Sequence, residues 1–202
     1  MITSITDTPL LFKLIVRPNW FVNRYVKSVL EEHFNFAGKE VLDFGCGVGS
    51  TSFMFRPDRY IGVDCDAKRI GYAQKTFQKY RFIGIDNNKL PLQTNSVDYV
   101  LILSVIHHIC DKDFEIYLNE FQRVLKTDGV ILAIEPCLYP EHKIGNFIMN
   151  TLDKGAYIRD EGAYLNLFHQ QNYATKTLKR YSQNGLYHKL FFTAKPTNYV
   201  KT

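Results

Sequence analysis

The sequence lacks the features that mark secreted, membrane-spanning and zinc-ribbon proteins. Its four cysteines, Cys46, Cys65, Cys110 and Cys137, form no Cys-x-x-Cys pair, and none has a histidine at zinc-ligand spacing. We therefore expect reduced thiols in a cytoplasmic protein and no metal site. No segment approaches ~20 uninterrupted apolar residues, so no membrane span or membrane partner is expected. The N-terminus has no basic segment followed by an apolar one, which argues against a secretory signal.

Tryptophan is also scarce, with one residue against 15 Phe and 13 Tyr, but the composition is otherwise ordinary for a globular protein. The chain has 202 residues, enough for one α/β domain with a full core. Its net charge is +5, and Lys176, Lys179 and Arg180 form the clearest basic cluster. Such a cluster can attract nucleic acid or an anionic substrate. A solvated strand face explains it better, because no RNA-binding motif accompanies it.

Short apolar runs alternate with helix-like segments. The strand candidates are Val41–Phe44, Tyr60–Val63, Arg81–Ile85, Tyr99–Leu103 and Val130–Ile134. The helix candidates between them are Thr51–Phe55, Lys68–Tyr80 and Phe114–Lys126, the last with Gly129 as its C-terminal cap. This alternation predicts a parallel sheet with crossover helices.

The C-terminal third predicts an antiparallel addition to that sheet. Two further strand candidates, Thr175–Tyr181 and Tyr187–Ala194, are joined by the hairpin signal Ser182-Gln-Asn-Gly185. We predict an α/β fold, a Rossmann-like doubly wound sheet of seven mostly parallel strands with a C-terminal antiparallel hairpin strand. One domain, 1–202, is expected to comprise a helical lid (1–37), a core (38–136), an insertion (137–172) interrupted at Gly145, Gly155 and Gly162, and a closing strand pair (173–202).

A glycine loop is the most informative motif. In Glu40–Ser50 an apolar strand candidate runs into Gly45, Gly47 and Gly49, which alternate at one-residue spacing. Glycine tolerates positive φ and lets a ligand lie against the backbone. The spacing is neither that of dinucleotide binders nor that of a P-loop. The loop predicts a nucleotide-like ligand, the alternative being a tight strand-to-helix turn without one.

Polar residues follow the other strand candidates as well. Asp64 comes after the second strand, where an acidic residue can accept from both ribose hydroxyls. Asp86 and Asn87 follow the third, where a carboxylate can accept from an adenine amino group. His107-His108 follow the fourth strand and Glu135 ends the fifth. Acidic residues at the ends of the first three strands together are not easily reached by chance.

With these motifs the chain resembles the class I S-adenosylmethionine-dependent methyltransferases, in the small-molecule group related to the ubiquinone and menaquinone enzymes. The resemblance covers roughly residues 38–136. It is carried by Val41-Leu-Asp-Phe-Gly-Cys-Gly-Val-Gly49, Gly62-Val-Asp64, Asp86-Asn-Asn-Lys-Leu-Pro91, Ser96-Val-Asp98, Ile106-His-His-Ile109 and Glu120-Phe-Gln-Arg-Val-Leu-Lys126 with Asp128-Gly129.

The resemblance implies S-adenosylmethionine as cofactor, S-adenosylhomocysteine as product, and a role for each matching residue. The backbone of Gly45, Cys46 and Gly47 would approach the methionine part, and Asp43 would hold the glycine loop or its ordered water. Asp64 would bind the ribose diol. The remaining implied contacts are Cys65 beside Asp64, Asp86 at the adenine amino group, the Asn87 N–H at the adenine ring, and the Leu103 backbone beside the methionine amino group.

The resemblance leaves the acceptor side more open. His107 is our candidate general base, because its ordinary pKa of ~6.5 suits proton transfer near neutrality. The alternative is that His107 or His108 packs or hydrogen-bonds at the strand ends, and the second histidine is common in the family as a structural residue. Glu135 would orient the acceptor or bond a loop backbone.

The insertion 138–171 is expected to cover the acceptor pocket. Its polar candidates for acceptor binding, beside His108, are Tyr157, Arg159, Tyr164 and His169. Arg159 would bind an acidic acceptor or be solvated at the surface. In the lid, Trp20, Phe21 and Tyr25 would close over the cofactor or form a buried helix face.

We therefore predict methyl transfer to the O, N or C of a small organic acceptor, by in-line displacement with a possible histidine base. One alternative is a non-catalytic protein of this fold that binds or regulates a partner. Another is methylation of RNA or protein, which is less favoured because Leu103-Ser-Val-Ile stands where many amino-group DNA methylases have Asn/Asp-Pro-Pro-Tyr/Phe. The sequence does not fix the oligomeric state, and a homodimer is one alternative.

Overall fold

The computed structural model describes residues 18–153 and 155–197. The chain divides into two compact units, one up to Asn87 and one from Asn88 onward. Of the described helices, none has the length and apolarity needed to cross a membrane.

The first unit contains a three-stranded parallel sheet. Its elements are helix α1 (Asn19–Val22, the π-helical Asn23–Lys27 and Ser28–Glu31), strands β1 (Val41–Phe44) and β2 (Tyr60–Asp64), helix α2 (Ala67–Thr76) and strand β3 (Arg81–Gly84), with 3-10 turns at Ser52–Met54 and Pro57–Arg59. β2 pairs with β1 and β3, both in parallel register. Every residue of β1 and β2 is buried, as the continuous apolar runs predict.

Helix α1 buries an aliphatic face and exposes part of its aromatic one. The buried residues Val22, Val26, Val29 and Leu30 recur at helical spacing. Trp20 is 61% exposed, so the sequence alternative that it belongs to a buried face is wrong. The lid itself remains a prediction, and its first 17 residues lie outside the described part of the chain.

The second unit combines a parallel strand pair with an antiparallel hairpin. Its elements are β4 (Val97–Leu103), a 3-10 turn (Ile106–His108), α3 (Asp111–Val124), β5 (Leu125–Leu138), α4 (Lys143–Leu152), β6 (Arg159–Asp160), α5 (Glu161–His169), β7 (Tyr173–Gln183) and β8 (Tyr187–Pro196). β4 and β5 are parallel, whereas β5–β8 and β8–β7 are antiparallel. Two-residue β6 pairs with the end of β5.

Strand pairing in the two units confirms the predicted mostly parallel α/β fold with a C-terminal antiparallel hairpin. The hairpin turns where the sequence predicted, with Asn184 and Gly185 at φ of 54° and 76°. Asparagine and glycine adopt this left-handed conformation more readily than other residues do.

Three local predictions were wrong. Thr51–Phe55 forms only the 3-10 turn Ser52–Met54, because Pro57 lies too close for an α-helix to continue. Gly129 is no helix cap: α3 ends at Val124 and the chain is extended from Leu125. Gly145 and Gly162 do not interrupt the insertion but lie inside α4 and α5.

Candidate functional site

The glycine loop follows β1 in a conformation that only glycine adopts freely. Gly45, Gly47 and Gly49 have φ of 73°, 55° and 73°. The loop is attached to the neighbouring strand, because the Gly45 and Cys46 N–H groups donate to the Val63 carbonyl at 2.8 and 3.0 Å. At Gly47 a Cβ would meet no atom within 4 Å, so the backbone angle rather than crowding requires glycine there.

Asp64 joins this loop to the next helix. Its Oδ2 accepts from the Gly47 N–H at 2.8 Å and its Oδ1 accepts from the Asp66 N–H at 2.9 Å. Asp66 in turn caps α2 by accepting from the Lys68 and Arg69 N–H groups. Asp64 therefore fixes the loop, in addition to the ribose contact that the family resemblance implies for it.

Asp43 is buried at the base of the loop. Its Oδ2 accepts from the hydroxyls of Thr51 and Tyr60 at 2.5 and 2.7 Å. Burial and the Asp43 charge raise the pKa of Tyr60, which keeps this phenol a proton donor. Thr51 comes just after the last glycine, so Asp43 ties the end of the loop to β2. No motif in the sequence indicates these roles of Thr51 and Tyr60.

The other cofactor candidates differ in exposure. The Cys46 thiol is buried, and its Sγ would lie 2.8 Å from a Cβ at Gly62, so the bare backbone of β2 makes room for it. Burial and the charges of Asp43 and Asp64 raise the pKa of Cys46, so the thiol stays protonated. Cys65 is exposed, as are Asp86 and Asn87 after β3.

In the second unit, Leu103 ends β4 as a buried residue, and a tight turn follows. Ser104 has φ of 61°, a conformation unusual for a residue other than glycine. Its hydroxyl accepts from Nζ of Lys189 at 2.6 Å. Lys189, on β8, is only 4% exposed. A buried lysine is uncommon, and the sequence reasoning missed it because Lys189 sits in an ordinary strand pattern.

Glu135 is fully buried and holds this turn. Its Oε1 accepts from the N–H groups of Val105 and Ile106 at 2.7 and 3.0 Å, and its Oε2 lies 2.7 Å from Nδ1 of His107. Burial opposes ionisation, but the bonds from His107 and the backbone outweigh it and lower the pKa of Glu135. The sequence analysis considered two roles for Glu135, orienting the acceptor or bonding a loop backbone. These contacts correspond to the second role.

His107 lies between two carboxylates. Its Nε2 is 3.3 Å from Oδ1 of Asp153, while Glu135 takes Nδ1 on the other side. Burial opposes protonation, yet the two carboxylates together raise the pKa of His107. Burial opposes the ionisation of Asp153, but its contacts with His107 and the Tyr187 hydroxyl outweigh burial and lower its pKa. Asp153 had no signal in the sequence, since it is 46 residues further along the chain (153 − 107).

A short segment, residues 155–157, covers His107 and is called the covering segment below. A Cβ at Gly155 would lie 2.0 Å from Cδ2 of His107, so only glycine lets the backbone pass over the ring. The Tyr157 N–H donates to the His107 carbonyl at 2.9 Å. His107 is consequently 2% exposed, whereas the adjacent His108, with its ring centroid 4.0 Å away, is exposed.

Arg159, two residues after Tyr157, holds the same turn. Its guanidinium donates to the carbonyls of Ile106, Tyr157 and Ile109 at 3.3, 2.8 and 3.1 Å, and it pairs with Asp111. The side chain is 9% exposed, so surface solvation, one of the two roles considered from the sequence, does not describe it. Acceptor binding by Arg159 remains a prediction.

The remaining candidates are dispersed. Tyr157 is 42% exposed, while Tyr164 is fully buried, and its hydroxyl has no hydrogen-bond partner among the described residues. Burial raises the pKa of Tyr164. His169 Nε2 lies 2.6 Å from the Thr175 hydroxyl. In the basic cluster, Arg180 pairs with Glu161.

Comparison with known proteins agrees with this geometry. Residues 42–133 match the family model described as a methyltransferase domain. The chain is 31% identical over 102 residues to a probable S-adenosylmethionine-dependent methyltransferase of Mycolicibacterium smegmatis, covering 50% of this chain and 39% of that protein. It is 25% identical over 123 residues to the ubiquinone/menaquinone biosynthesis C-methyltransferase UbiE of Campylobacter jejuni, covering 56% and 50%.

Among solved structures, a SAM-dependent methyltransferase from Archaeoglobus fulgidus superposes with a TM-score of 0.71 at 14% identity, covering 92% of this chain and 98% of that one. This likeness is one of fold. With the domain match over residues 42–133, it supports the predicted resemblance to the class I S-adenosylmethionine-dependent methyltransferases. That resemblance, including the one to the ubiquinone and menaquinone enzymes, and the predicted cofactor, S-adenosylmethionine, are thereby confirmed. The chain spans half or less of the length of the two curated relatives.

Proposed function

We propose that this protein transfers the methyl group of S-adenosylmethionine to the O, N or C atom of a small organic acceptor. The glycine loop is the observation that carries the proposal. Three alternating positive-φ glycines, in a loop fixed by Asp64, would present bare backbone to a ligand. The name of the Campylobacter relative, a quinone-pathway C-methyltransferase, supports a small-molecule acceptor.

The cofactor supplies the reactivity, since its sulfonium is a good leaving group for in-line displacement. The chain's own part is to bind it, align the acceptor and exclude water. Asp43 and Asp64 would serve the first task by keeping the loop in one conformation before binding. Such preorganisation lowers the entropy cost of association.

An acceptor hydroxyl or amine must also lose a proton, and His107 is our proposed base for that step. Its bond to Glu135 would place a proton on Nδ1 and leave Nε2 as the basic atom. Oδ1 of Asp153 lies 3.3 Å from Nε2, so this role requires the Asp153 side chain to move aside. Four free cysteines among the described residues fit the expected cytoplasmic location.

Calorimetry with S-adenosylmethionine and S-adenosylhomocysteine tests the proposal. We expect micromolar binding of both and no heat with methionine alone. A panel of phenols, quinols and amines, read out by release of S-adenosylhomocysteine, then searches for the acceptor. His107→Ala should reduce turnover sharply and leave cofactor affinity nearly intact. Absence of binding to either cofactor form would refute the proposed function, and full turnover by His107→Ala would refute the base assignment.

A further inference from the structure

Two histidines and one aspartate meet beside the turn that follows β4. Ring nitrogens of His107 and His108 and a carboxylate oxygen of Asp153 all lie within 4.8 Å of one another. All three belong to the second unit. His107 and His108 come from the 3-10 turn, and Asp153 comes directly after α4. The sequence analysis predicted no metal site, because the four cysteines lack the spacing of zinc ligands. This group contains no cysteine.

The distances around His107 distinguish its two carboxylate neighbours. Nδ1 is 2.7 Å from Glu135, the length of a strong charge-assisted hydrogen bond. Nε2 is 3.3 Å from Asp153, which is long for such a bond. Two ligands that each lie about 2.0 to 2.1 Å from a tetrahedral zinc ion are about 3.3 Å from each other. The distance of 3.3 Å between Nε2 of His107 and Oδ1 of Asp153 therefore fits two ligand atoms of one cation.

Outer contacts orient two of the three side chains as metal ligands are usually oriented. Glu135 takes Nδ1 of His107, which directs Nε2 toward Asp153. Asp153 is itself held by the Tyr187 hydroxyl on Oδ2 and by the Gly155 N–H on Oδ1 at 2.8 Å. A carboxylate–histidine–metal arrangement of this kind fixes the tautomer and raises the basicity of the ligating nitrogen.

We propose that His107, His108 and Asp153 bind one divalent transition-metal ion. Two imidazoles and one carboxylate suit zinc, iron or cobalt better than magnesium or calcium, which prefer all-oxygen sites. Three protein ligands leave a position of a four-coordinate ion for water or, if the proposed function holds, for an oxygen of the acceptor. Such an ion would lower the pKa of a coordinated acceptor hydroxyl, which would then release its proton to bulk water. His107, with Nε2 holding the ion, would act as a metal ligand in place of the base role proposed above.

Metal uptake by the whole chain, prepared without a polyhistidine tag, tests the site. The chain is equilibrated with Zn²⁺ or Co²⁺, dialysed, and analysed by elemental mass spectrometry and by calorimetric titration with the metal salt. We expect one ion per chain, with the intense visible absorption of four-coordinate Co²⁺. His108→Asn and Asp153→Asn should each weaken binding about 100-fold. His169→Asn is the matched control, because it removes a histidine that bonds Thr175 outside the group.

His108 is exposed, so its replacement should leave the fold intact, which circular dichroism and thermal unfolding can verify. Absence of bound metal, or equal affinity in the wild type and both variants, would overturn the proposal and leave His107 and Asp153 as an ion pair only. Because uptake is measured without methyl transfer, this failure is distinct from a failure to bind S-adenosylmethionine.

Discussion

The glycine loop after β1 and the histidine turn after β4 both follow a buried parallel strand, but they are fixed by different means. The loop takes its shape from its own glycines and from Asp64, a residue 17 positions away. The histidine turn is held by side chains and backbone from much further along, namely Glu135, Gly155 and Arg159. The first is a local backbone motif, whereas the second is assembled by tertiary structure.

This difference shows how the proposed cofactor site and the proposed acceptor site are encoded in the sequence. A loop that would bind a common cofactor through its backbone needs only a few adjacent residues. The surroundings of His107 depend on a segment, 153–159, whose residues have no recognisable motif. Variants that affect only one of the two regions can therefore test whether they are as independent as their contacts indicate.

The largest expected effect is at Gly155. A methyl group there would overlap the His107 ring, so Gly155→Ala should displace the covering segment and lower the free energy of unfolding by about 3 kcal/mol. Urea unfolding measures this loss. Gly71→Ala is the control, since a Cβ at Gly71 meets no atom within 4 Å and alanine favours the helix. Equal stability of Gly155→Ala and wild type would contradict the described packing over His107.

The next effect concerns the cofactor loop. Asp64→Asn replaces one carboxylate oxygen by an amide that faces a backbone N–H, which costs about 2 kcal/mol, or about 30-fold in affinity for S-adenosylhomocysteine. Calorimetry provides the measurement. Asp66→Asn is the control, because the Asp66 side chain caps α2 and does not bond the glycine loop. Its affinity for S-adenosylhomocysteine should be nearly that of the wild type. An unchanged affinity in Asp64→Asn would show that the loop is fixed without this carboxylate.

The smallest of the three effects is at Arg159. Arg159→Lys removes the planar fork that reaches the carbonyls of Ile106 and Ile109, so stability should fall by about 1.5 kcal/mol. Hydrogen exchange at residues 106–109 should rise in the same variant. Arg180→Lys alters a more exposed guanidinium paired with Glu161 and should cost less than about 1 kcal/mol. A larger loss at Arg180 than at Arg159 would reverse our assignment of the more important contact.

Much of the fold could be predicted from the sequence, because each buried parallel strand is a continuous apolar run. β1 and the hairpin turn at Asn184-Gly185 lie where the sequence predicted them. The boundaries that failed depend on tertiary contacts. No local sequence signal indicates that a strand of 14 residues begins at Leu125, directly after the helix. Pairing with β4 and β8 stabilises this strand.

The two parts of the candidate site, the glycine loop and the turn that contains His107, were predictable to different degrees. The cofactor residues are adjacent to strand ends and carry a recognisable spacing, so their positions followed from the sequence, although their roles remain predictions. Asp153, Tyr187 and Lys189 could not be found this way. They approach the histidine turn only because α4 and the β7–β8 hairpin bring them there. Charged side chains buried by distant packing leave no periodic trace in a sequence.

The covering segment has a further use, as a search pattern. Gly155, Tyr157 and Arg159 lie at alternate positions of the chain after α4, and each contacts the turn that contains His107. Gly-x-Tyr-x-Arg located about 45 to 50 residues after a His-His pair would therefore identify other chains that clamp this turn in the same way. The tyrosine, which contributes a backbone N–H, should vary most, whereas the glycine and arginine should persist together.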